Sequence, residues 1–275
     1  MDDTNIITAY CIIDDVLTKL GHRSHPQAGV SDAEVLLVAV VAAMYFQNHH
    51  ERTLCVMKMG KYVSKPLSIS RLCRRLHALG EWLKYIAEIV GQVFASGEAY
   101  IIDSVPLPVC KRVRAFRCKK IDAASPRGRG YFGYCHAKKE GFFGYRLHLV
   151  CDTHRVPVAF VMLPGAWHDL TPVHELTSCL PKGASVYADK GYISARDKRA
   201  IKRQGGVRLV AKHKANMHPN TFQDYYNLRE YRPRIECANS QLEKMGFERL
   251  YARTAFGFAI KVHASLLALA CINLH

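Results

Sequence analysis

Three carboxylates stand where the surrounding chain disfavours them. Asp103 interrupts the apolar stretch YIIDSVPL (100–107), and Asp189 closes the apolar run of VYADKGY (186–192). Glu236 lies in RPRIECANSQLE (232–243), on a helical pattern shared with Ile235, Asn239 and Leu242. A carboxylate among buried neighbours needs a cation or hydrogen-bond donors. Singly, each acid has an ordinary use, as a strand-end cap, a turn former or an exposed helix acid. Together they make an Asp, Asp, Glu set of hard oxygen donors, the kind that suits Mg2+ or Mn2+. Two such ions about 4 Å apart clamp the attacking and leaving oxygens of an in-line phosphoryl displacement. Lys190 is placed beside Asp189 to meet a phosphate. His168 and Asp169 are secondary candidates: Asp169 suits the cap of a helix beginning at about 170, with His168 near the site.

These donors must be brought together by the elements that carry them. Apolar runs predict strands at 99–109, 142–152, 155–165, 185–189 and 207–212, with the second and third forming a hairpin. Helical patterns alternate with the later strands at about 169–180 and 194–204, and a final helical region starts near 228. That order predicts an α/β fold with a mixed sheet, interrupted early by a long basic insertion at 111–141. Strand ends converge at one edge of an open sheet, and a helix against that edge can supply the third acid. Residues 1–96 read differently, as helices at about 4–20, 32–47, 68–80 and 81–94, the second opened by the capping box Ser31-x-x-Glu34. The expected division is therefore a helical domain over 1–96 and a catalytic domain over 97–275. Within the first, SISRLCRRLHALG (68–80) puts Arg71, Arg74 and Arg75 on one face. It fits the recognition helix of a helix-turn-helix at about 53–80 as well as it fits a plain surface helix.

The balance of charge narrows the partner. The 275 residues hold 39 Lys and Arg against 23 Asp and Glu, a net charge of +16 that favours a polyanion, chiefly nucleic acid. Eleven bases and two acids fall between Lys111 and Leu147, among them Lys111, Arg112, Arg114, Arg117, Lys138, Lys139 and Arg146, interleaved with seven Phe and Tyr. Bases with aromatics suit a surface that follows phosphates and stacks on unpaired bases. Five glycines there argue against a membrane-bound amphipathic helix. The best apolar run, at 35–46, falls short of the roughly 18 residues of a membrane span, so no membrane is expected. Ten cysteines without a C-x-x-C pair fit neither a zinc ribbon nor a disulfide framework, and suit a reduced, cytoplasmic protein. The acidic start MDDTN lacks the basic region of a signal peptide.

Five segments, taken in order, carry a resemblance: IDSVPLPVCKRVR (102–114), GYCHAKKEGFFGYRLHLV (133–150), LPGAWHD (163–169), ADKGY (188–192) and RIECANSQLE (234–243). With them the chain resembles the DDE-class insertion-sequence transposases, most closely the insertion sequence 982 family. The resemblance implies a ribonuclease H-like, retroviral-integrase-like core whose acidic triad falls on Asp103, Asp189 and Glu236. It matches Arg232 to the arginine of the Y-R-E-K signature, while Arg229 fills the tyrosine position and Glu243 the lysine position.

The activity so implied is metal-dependent cleavage at the ends of an insertion sequence, then transfer of the 3′-hydroxyl end into target DNA. Two Mg2+ ions are expected, with Mn2+ as substitute. The expected partners are double-stranded DNA, as terminal inverted repeats and as target, and a second copy of the chain in a homodimer. Lys190, Lys212 and Arg232 join the basic segment and the helical domain's arginines as expected DNA contacts. The localisation expected is the cytoplasm of a bacterium or archaeon, at the nucleoid. Two rival readings keep parts of this: a ribonuclease H-like nuclease or resolvase without strand transfer, and a domesticated, non-catalytic DNA-binding protein.

Overall fold

The computed structural model describes residues 1–274 except 96, 137, 214 and 215. Two compact units divide the chain, one of residues 1–93 with 241–275 and one of residues 94–240. The division differs from the expected cut at 96, because the segment after 240 packs with the N-terminal helices and not with the sheet.

The reason lies in two helices that are apolar all round. In the first unit, α1 (Asp3–Lys19), α2 (Asp32–Phe46), α3 (His50–Met59), α4 (Ile69–Ala78) and α5 (Gly80–Phe94) gather with the chain's last helix, α9 (Ala255–Asn273). Every residue of α2 from Val35 to Ala43 is buried, as is most of α9. A helix apolar on every side must be covered on every side, and each of these two helps to cover the other. α9 is also long and apolar enough, by length and composition, to cross a membrane. The expectation that no stretch reaches that length is corrected here, and the helix is mostly buried within its own unit. The capping box forms as expected: Ser31 Oγ accepts from Glu34 N–H at 3.1 Å, and Glu34 accepts from Ser31 N–H. Beyond α2, buried Asn48 donates from its side-chain amide to Met245 O and Ser265 Oγ, each at 2.9 Å, and its main-chain carbonyl accepts from Lys261 Nζ at 2.7 Å. The helix pair expected as a helix-turn-helix is α3 and α4. Residues 60–68 separate them, more than the three or four residues of that motif's turn.

The second unit is built on a sheet of six strands: β1 (Ala99–Lys111), β2 (Phe132–Cys135), β3 (Glu140–Asp152), β4 (Pro157–Pro164), β5 (Ser185–Ala188) and β6 (Arg208–Ala211). Its order is β2-β3-β1-β5-β6, and β4 pairs with β3 beyond β2 along the same strand. β3 is antiparallel to both β1 and β4, whereas β5 and β6 join in parallel. β1, β4, β5 and β6 therefore point the same way. This mixed sheet is the ribonuclease H-like arrangement. No sequence signal marks β2 within the basic insertion, which also holds short 3₁₀ turns at Arg112–Arg117 and Gly128–Tyr131. Prolines 106 and 108 fit in β1 because its pairing with β5 ends at Ile102, which leaves that edge of the strand open, and a bulge in the ladder to β3 follows between Pro108 and Cys110. Gly144 faces that bulge, where a Cβ would lie 2.2 Å from Leu107 O.

The two faces of this sheet bury different partners. Tyr100, Ile102, Val186, Ala188 and Leu209 pack with Leu176 of α6 (Val173–Ser178) and Ile201 of α7 (Ala195–Gly205). Tyr187 and Val210 point the other way, to Leu228 of α8 (Phe222–Lys244), the helix that contains Glu236. With a side-chain period of two, Asp103 and Asp189 fall on this second face.

Candidate active site

The parallel ladder of β1 and β5 sets the first two acids. Its last registered pair is Ile102 with Ala188, and the next residues on the two strands are Asp103 and Asp189. Asp189 leaves the sheet there, whereas Asp103 stays within β1, in register with Leu149 of β3, and both lie on the face that α8 covers. α8 supplies three groups there. Asn239 Nδ2 donates to Asp103 Oδ2 at 2.8 Å, and Arg232 reaches both other acids, Nη1 to Asp189 Oδ1 at 3.3 Å and Nη2 to Glu236 Oε1 at 3.5 Å. Arg232 and Glu236 meet because residues four apart share a helix face. Glu236 does not approach the core as expected. Ile235 and Ala238 take the inward positions and leave its carboxylate 63% exposed.

Burial pushes the Asp103 carboxyl up to about 6; the Ser104 N–H, Arg232 and Asn239 oppose that push, and the charge of Asp169 adds to it. Asp169 thus belongs to the neighbourhood of the triad, and the cap expected of it is corrected. α6 begins only at Val173, with Pro172 before it and no side-chain cap. The turn preceding it is closed instead by His168, whose Nδ1 accepts from Leu170 N–H at 3.3 Å. Asp169 turns toward the chain after β5, where its Oδ2 would stand 2.9 Å from a Cβ at Gly191. On its other side His148 is fully buried, Nδ1 4.0 Å from Asp169 Oδ1. Burial holds that imidazole neutral, down to about 4.

The expected DNA contacts separate into two sets. Lys111, Arg112, Arg114 and Arg117 are exposed at the end of β1 and on the 3₁₀ turn after it, with Arg112 also over the Phe132 ring. Lys138 and Lys139 are exposed in the turn between β2 and β3, and Arg71 and Arg74 on α4. Lys190 is exposed directly after Asp189, and Lys212 lies at the same sheet edge, its N–H donating to Ala188 O at 3.0 Å. Besides Arg232, two arginines are committed to the protein instead. Arg146 donates to Tyr134 O at 2.9 Å and Ser104 Oγ at 3.2 Å. Arg75 donates to Val30 O at 2.8 Å and pairs with Asp32, which His22 also contacts at 2.9 Å. Burial works to raise the Asp32 carboxyl, but the hydrogen bonds from Arg75 and His22 outweigh it and hold the group below its usual range.

Among the described residues no three His, Cys, Asp or Glu stand close enough together to hold a metal ion. The donors fit a divalent cation in kind. They are carboxylates at one sheet edge, one raised by burial, and a guanidinium already bridges the other two. Asn239 and His148 were not singled out from the sequence. Asn239 could have been, since it follows Glu236 by three positions on one helix; a fully buried histidine in an alternating strand carries no such signal.

The Transposase DDE domain family matches residues 95–271, the sheet, its helices and all three acids. The chain belongs to that family. Its members generally use divalent metal ions. Among curated relatives, the transposase for insertion sequence element IS1106 of Neisseria meningitidis serogroup B is 31% identical over 144 residues, 50% of this chain and 49% of that protein. The chain thus spans about half the length of the relative it matches. Among solved structures, the piggyBac transposase in a synaptic complex with hairpin DNA superposes with a TM-score of 0.50 at 11% identity, over 100% of this chain and 72% of that one. At that identity the likeness concerns the fold.

Proposed function

We propose that the chain is a transposase, cutting DNA at the ends of an insertion sequence and joining the freed end to target DNA. The observation that carries this reading is the placement of Asp103 and Asp189 after the last pair of the parallel ladder, beneath the helix that bears Glu236. Asp103, Asp189 and Glu236 would hold two Mg2+ ions, with Mn2+ as substitute. Bound there, such ions supply activation of water and neutralise charge on the attacking and leaving oxygens. The first reaction breaks the P–O3′ bond at the element's end with water and leaves a 3′-hydroxyl. In the second, the oxygen of that hydroxyl attacks a phosphorus of the target, so one phosphodiester replaces another and the target's own 3′-oxygen leaves.

The side chains act by holding and orienting, as phosphoryl transfer requires. Asn239 fixes one oxygen of Asp103, leaving the other directed at the site. Arg232, paired with Asp189 and Glu236, would be free to meet a phosphate of the element's end once those carboxylates held a cation. Lys190 and Lys212 meet phosphates beside the scissile bond, and the exposed bases of 111–117 and 138–139 follow the duplex away from it. The N-terminal helices read the terminal inverted repeats through Arg71 and Arg74, and two copies of the chain pair to bring two ends together.

The test is a strand-transfer assay with labelled element ends, a plasmid target and Mg2+. Joined product that disappears with Asp189→Asn supports the reading. Cleavage without joining would make the protein a nuclease, and binding without cleavage would make it a DNA-binding protein.

A further inference from the structure

One part of the sheet edge is not used by that reading. β4 runs parallel to β1 and β5 and ends at Pro164, level with Leu107 and beyond Asp103, and the loop 165–172 that follows carries Asp169. It brings Asp169 against Gly191, two residues past Asp189, with Oδ2 2.9 Å from where a Cβ would be. Any side chain there would push the carboxylate away; glycine admits it. Behind Asp169 lie buried groups with no hydrogen-bond partner among the described residues. Neither ring nitrogen of His148 has a hydrogen bond, nor has the Tyr192 hydroxyl, although both side chains are almost wholly buried. An unsatisfied buried polar group costs about 1–3 kcal/mol, so each calls for a role. His148 has one within reach, since its Nδ1 stands 4.0 Å from Asp169 Oδ1.

We propose that Asp169 is a fourth carboxylate of the site and a ligand of the divalent cation, admitted by Gly191 and oriented by the buried imidazole of His148. A short approach of the two side chains closes the 4.0 Å gap to a hydrogen bond from the imidazole N–H to Oδ1, leaving Oδ2 for the cation. Metal-bound carboxylates are commonly held in this way by a second layer of donors. The proposal rests on the transposase reading, in that it takes Asp103 and Asp189 as ligands of the same ion.

The experiment titrates Mn2+ into the full-length protein without DNA and follows free Mn2+ by electron paramagnetic resonance. Asp169→Asn is expected to weaken Mn2+ binding at least tenfold. His148→Gln, which removes an outer partner, should weaken it about tenfold, within the 10–100-fold range for such groups. Gly191→Ala keeps every acid but displaces Asp169, and should show a similar loss; it also decides the matter if Asp169→Asn does not fold. Wild-type Mn2+ affinity in either Asp169→Asn or Gly191→Ala, with Asp103→Asn impaired, overturns the proposal and leaves the transposase reading standing. Wild-type affinity in Asp103→Asn as well overturns both.

Discussion

The side-chain amide of Asn239 donates to Asp103 at 2.8 Å, joining the helix that bears the third acid to the strand that bears the first. Asn239→Leu keeps the size of the side chain and removes the donor. Cleavage should fall about tenfold or more, the usual cost of losing a partner that orients a ligand, with near-wild-type DNA binding. Cleavage at the wild-type rate would show that Asp103 needs no help from α8.

Each acid of the triad should be indispensable on its own. Asp103→Asn, Asp189→Asn and Glu236→Gln change charge at little cost in volume, so gel-shift affinity should stay near wild type while cleavage with Mg2+ disappears. A single variant that still cuts normally would lose its place in the triad.

The raised Asp103 carboxyl has a consequence for stability. Its folded value, about 6, exceeds the ordinary 3.8, so the native state binds this proton more tightly than the unfolded chain does. Stability contributed by the protonated form is present below about pH 4 and is lost as pH rises toward and through 6. At about 1.4 kcal/mol per unit, Asp103→Asn should be more stable than wild type by on the order of 2–3 kcal/mol at pH 8, without metal. Thermal melts at pH 4 and pH 8 check this: the gap should close at the lower pH, and a gap of equal size at both would refute it.

Arg74 and Arg75 are neighbours with different fates. Arg75→Ala leaves the partly buried Asp32 without its strongest partner and should cost about 1–3 kcal/mol, seen as a lower melting temperature. Arg74→Ala should leave melting unchanged and weaken binding to terminal-repeat DNA. The reverse pattern would exchange their roles.

Binding should also weaken steeply with salt. Replacing Arg112, Arg114 and Arg117 together with alanine should flatten the slope of log K against log salt by up to about 3, roughly one per lost phosphate contact. An unchanged slope would move the DNA away from this turn.

Much of the fold was legible because its elements are locally consistent. α2 begins at its capping box, and β3 forms where its apolar run predicts, although it is buried on both faces from Leu147 to Asp152 instead of alternating. Asp103 and Asp189 stood out because each broke an apolar run, whereas Glu236 is exposed on α8 and breaks none. What could not be read depends on distant partners. No local feature of SISRLCRRLHALG says that Arg75 will be taken by Asp32, or that Arg146 will be taken by Tyr134 and Ser104. The fate of α9 depends likewise on the apolar face of α2, far away in the sequence. β2 was hidden because four residues among glycines form a strand only when β3 is there to pair with them.

The parallel ladder of β1 and β5 also fixes when the site can exist. Its two strands are separated by the whole β3–β4 hairpin and α6, and non-local pairings of this kind form late, after the loop between them has been closed. During synthesis Asp103 leaves the ribosome well before Asp189 and Glu236, so a growing or partly folded chain holds one acid and no site. On the proposed reading, activity arrives only after β1 and β5 have paired and α8 has docked over them, so no incomplete chain carries the assembled site.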